Sequence, residues 1–124
     1  MQEEPVGHVV SGETPSLEAA QVVLVYVTAP TPDEGERMAQ RLVEERLAAC
    51  VNVVGGVASF YWWEGLVQRE GEVLLLVKTR AAVLERLVAR VRELSSYEVP
   101  ASSALPVVGG NPEYLRWVVR EVRA

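Results

Sequence analysis

Residues 49–79 read ACVNVVGGVASFYWWEGLVQREGEVLLLVKT, and the fold is decided there. Residues 49–54 are valine-rich and read as a strand, because β-branched side chains fit a pleated, half-buried surface. Gly55-Gly56 interrupts the pattern and suggests a bulge or bend, after which the strand resumes over residues 57–64. Glu64-Gly65 has turn chemistry, and residues 72–79, EVLLLVKT, return as the next strand. The pair makes a long hairpin with a loose loop.

Four of the chain's eight aromatic residues stand in a row in this hairpin: Phe60, Tyr61, Trp62 and Trp63. Strand side chains alternate between faces, so the rings load both sides of the ribbon. Helices packed on a sheet cover only one of those sides. Either the hairpin curls over its own core or the remaining rings meet other copies of the chain. The second reading is preferred, because an exposed aromatic patch of that size marks an interface. Burying two tryptophans and their neighbours, at ~25 cal/mol per Å², stabilises such an assembly by several kcal/mol per subunit.

Upstream, residues 21–28 (QVVLVYVT) are almost continuously apolar, as in a strand covered on both faces. Thr31 is placed to cap a helix, with Pro32 at its first position and Glu34 closing a capping box. That helix is expected to run to about Leu47 on a stripe of Met38, Leu42, Val43 and Leu47, with Arg37, Arg41, Glu44 and Glu45 toward solvent. Downstream, Thr79 is the expected cap of a second helix reaching about Ser95, with Val83, Leu84, Leu87, Val88, Val91 and Leu94 at helical spacing. Residues 102–108 form a short strand whose Pro106 assigns it to a sheet edge. Asn111 then caps a last helix with Pro112 at its first position and Tyr114, Leu115, Val118 and Val122 on its buried side. The order is βαββαβ plus a C-terminal helix. This is an α+β chain of ferredoxin-like plan, with two helices on one face of a four-stranded antiparallel sheet.

At 124 residues, the chain fits one domain, residues 21–124, behind an acidic tail over residues 1–20. The net charge is −5, and the tail supplies Glu3, Glu4, Glu13 and Glu18 with no base. The tail has no basic start and no long apolar middle, unlike a secretory signal. The domain is nearly neutral and has no basic stripe, so nucleic acid is not an expected partner. No apolar run approaches the ~20 residues of a membrane-spanning helix. One cysteine, Cys50, gives no internal disulfide and fits a cytoplasmic chain. The one histidine, His8, lies in the tail, so the folded part has no Ser-His-Asp or Cys-His unit, and no enzyme is expected.

Several residues invite a binding role, each beside a plainer one. Lys78 is the single lysine among twelve basic residues and ends an apolar strand. Its ammonium either emerges to solvent or lines a cleft near Glu98 or Glu64. Cys50 is a small buried hydrophobe or a thiolate ligand. Tyr97 and Glu98 lie in an irregular loop, where function often sits, or form a solvated turn. Gly109-Gly110 before a helix start could hold an anion, but it is also ordinary turn chemistry.

Four stretches in order, LVEERLAACVNVVGGVASFYWWEG, EVLLLVKT, YEVP and LPVVGGNPEYLRW, resemble the CutA family of divalent-cation tolerance proteins over about residues 21–120. The resemblance implies a ferredoxin-like subunit in a heat-stable, PII-like homotrimer linked to copper and other divalent metals, without an established catalytic activity. By analogy with PII signalling proteins, it also implies clefts between subunits that take a metal or a small anionic ligand. Trp63, Glu64, Lys78, Tyr97 and Glu98 are the expected cleft residues, Cys50 is the one metal-ligand candidate, and Phe60, Tyr61, Trp62 and Trp63 form the trimer interface. Where the family has copper ligands, this chain has Val27, Leu94 and Ser95, and Ala101 follows YEVP where an acid is usual. These are poor metal ligands. The alternatives are a PII-like small-effector sensor and a purely structural trimeric scaffold.

Overall fold

A computed structural model describes residues 18–124, and residues 1–17 of the expected acidic tail lie outside the described residues. The elements are β1 (Val22–Ala29), α1 (Pro32–Glu44), β2 (Cys50–Trp63), β3 (Leu66–Arg80), a 3-10 turn (Ala81–Val83), α2 (Leu84–Leu94), β4 (Ser102–Pro106) and α3 (Pro112–Glu121). The strands form one antiparallel sheet in the order β2-β3-β1-β4, which puts β4 at an edge, as Pro106 required.

Alternation along β1 aims Val23, Val25, Val27 and Ala29 at the helices. The register pairs them with Thr79, Val77, Leu75 and Val73 of β3, so one face of both strands is apolar and buried. Met38 and Leu42 of α1, Val83 before α2, and Leu87 and Val91 of α2 close that face. The third helix lies where β3 ends: Arg80 Nη2 donates to the Val122 carbonyl at 3.0 Å, and Val118 and Val122 are buried. The near-continuous apolarity of β1 had suggested cover on both faces. Within the subunit the helices cover one face; on the other Val22 and Thr28 are buried but Tyr26 is 39% exposed.

Several local expectations are corrected. The first helix ends at Glu44, because Arg46 takes a positive φ of 63° and the amides of Leu47 and Ala48 turn back to the Leu42 carbonyl. Val43 lies off the Met38–Leu42 stripe and faces outward. Thr31 does cap this helix, but the Glu34 carboxylate accepts from the Ser96 amide and does not close a capping box. Thr79 caps nothing; it belongs to β3, and its hydroxyl donates to the Leu47 carbonyl at 2.7 Å. The second helix opens instead through the 3-10 turn. The last strand stops at Pro106, not residue 108, and Tyr114 of α3 is exposed.

The largest correction concerns the hairpin. No loose loop exists. Glu64 (φ 51°) and Gly65 (φ 80°) make a two-residue turn, and pairing runs from Trp63↔Leu66 back to Val57↔Glu72. Two positive φ values in succession define the turn whose twist matches that of a ribbon. The irregularity expected at Gly55-Gly56 is present between Val54 and Val57, with Gly56 at φ 75°. Strand β1 pairs with β3 only as far as Ala29↔Val73, so residues 57–72 extend as a two-stranded arm. The hairpin does not curl over its own core: Phe60 is 67% and Trp62 73% exposed, and Tyr61 and Trp63 are exposed as well.

Candidate functional site

The helix-free face of the sheet carries two separate groups of polar side chains. Their placement follows from strand parity. Even-numbered residues of β1 and β3 point away from the helices, and the register brings Tyr26 beside Leu76, Thr28 beside Leu74, and Cys50 beside Lys78. Past the irregularity, odd-numbered residues of β2 take over this face, so Ser59, Tyr61 and Trp63 continue it into the arm.

The first group surrounds a cleft of about 460 Å³ lined by Tyr26, Thr28, Ser59, Tyr61, Trp63, Glu72, Tyr97, Glu98, Val99 and Ala101. The Tyr97 hydroxyl donates to Glu72 Oε2 at 2.6 Å, tying the loop after α2 to the base of the arm. The loop is fixed from behind. The Tyr97 amide donates to Ser95 Oγ at 3.0 Å, and the Ser96 amide donates to Glu34 Oε2 at 2.9 Å. Burial, then the hydrogen bond to Glu72 and the charge of that carboxylate, push the Tyr97 phenol well above its usual range. Loss of solvent around the ring, followed by the charges of Glu70 and Glu72, also raises Tyr61. Both phenols stay neutral at physiological pH. The cleft walls hold two carboxylates and no base.

The second group is centred on Lys78. Its ammonium donates to Asn52 Oδ1 and lies 3.7 Å from Cys50 Sγ. Six residues of β3 separate Lys78 from Glu72, roughly 20 Å at ~3.3 Å per residue. Within a subunit, therefore, Lys78 meets neither Glu98 nor Glu64. Of the five expected cleft residues, Trp63, Tyr97 and Glu98 come together. Glu64 occupies the hairpin turn, and Lys78 sits with Cys50 at the far end.

Sequence reasoning missed Tyr26, Thr28, Ser59, Glu72 and Val99 as cleft residues. It had placed Tyr61 at an interface and had noted Ala101 only as a departure from the family. The signal for Tyr26 was the period-2 alternation of β1, which its continuous apolarity masked. Glu72 reads as a strand start from sequence, whereas β3 begins six residues earlier at Leu66.

The positions that correspond to family copper ligands do not gather donors here. Val27 is fully buried among core side chains, Leu94 packs against the core, and the Ser95 hydroxyl accepts from an amide. Among the described residues, no three of His, Cys, Asp and Glu converge as a metal-binding group. Also among the described residues, no helix is long and apolar enough to cross a membrane.

Comparison with known proteins places these features in a family. Residues 23–121 match the family described as CutA1 divalent ion tolerance protein. The chain is 46% identical over 101 residues to "Protein CutA 1, chloroplastic" of Oryza sativa, covering 82% of this chain but only 57% of the rice protein. It is 47% identical over 95 residues to the "Divalent-cation tolerance protein CutA" of Thermus thermophilus, covering 77% and 92% of the two chains. The crystal structure of CutA1 from Oryza sativa superposes with a TM-score of 0.81 at 46% identity, covering 83% of this chain and 94% of that one.

Proposed function

The chain belongs to the CutA1 family of divalent ion tolerance proteins, and from that premise we propose that it serves divalent-cation tolerance as a PII-like homotrimer. In this reading, clefts completed between subunits bind a divalent metal or a small ligand. The observation that carries it is the exposed aromatic arm beside the Tyr97–Glu98 loop. A lone two-stranded ribbon is marginal in water, and one bearing Phe60 and Trp62 on its outer side gains most from cover by a sister subunit. Closed symmetry with three copies buries each arm once and leaves none unmatched.

Copper does not fit the donors of one subunit: Val27 and Leu94 offer none, and Cys50 is a single thiol beside an ammonium. Glu72 and Glu98 offer carboxylate oxygen, which suits hard divalent cations better than copper, but one subunit supplies only these two, so a metal in this cleft takes its further ligands from neighbouring subunits. The role needs no catalysis, in keeping with family descriptions that name tolerance and no reaction. The single cysteine supports a cytoplasmic setting.

A PII-like response to a small anionic effector is the second reading. Its support is that, among the described residues, Lys78 has no carboxylate in ion-pair range. Sedimentation equilibrium of the full chain, with parallel calorimetric titrations of copper(II), manganese(II) and inorganic phosphate, tests both. A mass three times the 13.6 kDa subunit is expected, with manganese bound more tightly than phosphate. A single-subunit mass at every dilution overturns the trimer. Tighter binding of phosphate, weakened in Lys78→Ala, moves the function to the second reading.

A further inference from the structure

We propose that the cleft between the arm and the Tyr97–Glu98 loop selects a small organic ammonium ion. This deepens the cleft reading above and rests on it for the walls that neighbouring subunits complete. Four of the ten lining residues are aromatic: Tyr26, Tyr61, Trp63 and Tyr97. Two more, Glu72 and Glu98, are carboxylates, and none is basic. An anion would meet only like charge in such a cleft. A bare divalent cation requires about six oxygen ligands in a tight shell. Here Glu72 is already committed to the Tyr97 hydroxyl, and the described residues hold no group of three convergent metal ligands. An organic ammonium has a different requirement. When it is quaternary, like choline, its charge is spread over carbon-bound hydrogens, it loses little hydration, and it is stabilised beside π-systems with a carboxylate nearby. The volume, about 460 Å³, lies in the range of small-molecule sites. Burial is the main cause of the raised phenols of Tyr61 and Tyr97, and the charge of Glu72 adds to both, in keeping with a negative potential.

The test uses the full, unmodified chain. Choline and its neutral carbon isostere, 3,3-dimethyl-1-butanol, are titrated in parallel by calorimetry and by tryptophan fluorescence, with sedimentation run on the same samples. Choline is expected to bind saturably in the millimolar range, roughly tenfold more tightly than the isostere, as a cation–π site with a carboxylate requires. Tyr26→Leu and Glu98→Gln, each checked for native circular dichroism, are each expected to weaken choline severalfold. Equal binding of the two probes, no saturable signal through the millimolar range, or choline binding untouched by both variants overturns the assignment. If these results come from a chain that still sediments as a trimer, the ligand class fails and the assembly stands. If a single subunit binds choline with the expected selectivity, the ligand class holds without the neighbouring walls and the trimer fails.

Discussion

Glu64 is set by its backbone: its φ of 51° gives it the first place of a turn that prefers asparagine. A left-handed conformation costs a side chain with Cβ about 1–2 kcal/mol, and asparagine recovers part of that cost. Glu64→Asn is therefore expected to stabilise the protein by about 0.5–1 kcal/mol, seen as a higher urea midpoint at fixed protein concentration. Gly35 on α1 is constrained by space, since a Cβ there would lie 2.7 Å from Val73 Cγ2. Gly35→Ala gains helix propensity but overpacks the helix against the sheet, for a net loss of about 1–2 kcal/mol. An unchanged midpoint would show that Val73 yields freely. Tyr97 couples charge to stability. Its folded proton affinity is raised above the ordinary value of 10.0, so the unfolded chain loses this proton first. Stability is therefore full below pH 10 and falls as pH rises above it. Tyr97→Phe is expected to cost about 1 kcal/mol at neutral pH and to flatten the alkaline fall, measured by denaturant midpoints on both sides of pH 10.

At the scale of elements, the helices were legible where polar caps and apolar stripes agreed. Thr31-Pro32 and Asn111-Pro112 both start helices, and each side chain accepts from an amide in the first turn. The errors fell where tertiary partners overrode local chemistry. Thr79 has the identity of a cap, but pairing with Val23 keeps it in β3. Glu34 has the spacing of a capping box, but the backbone of Ser96 claims its carboxylate. That contact links α1 to the loop that carries Tyr97 and Glu98. Arg90 of α2 likewise donates twice to Glu45 at the end of α1, at 2.9 Å each, and draws the Glu45 carboxyl below its ordinary range. The pair is solvent-exposed and salt-screened, so it orients the helices more than it stabilises them.

For the whole molecule, the decisive question is what covers the arm. Trp62 is 73% exposed in the subunit and so contributes little to its core. Trp62→Ala is expected to leave helix content unchanged by circular dichroism while weakening self-association at least tenfold by sedimentation, the loss expected when a buried aromatic anchor is truncated. A variant that stays fully associated at low micromolar concentration would remove the arm from the interface. The sequence alone determined the order of elements, the edge position of β4 and the two-sided loading of the ribbon, because caps, prolines and alternation are encoded within a few residues of where they act. The cleft was decided only by tertiary structure. Its walls come from β1, the arm and the loop after α2, and they meet because antiparallel register and strand parity put Tyr26, Tyr61 and Glu72 on one face. The same register placed Lys78 beside Cys50 and far from Glu98, a separation set by pairing across the sheet and not by neighbours in the chain.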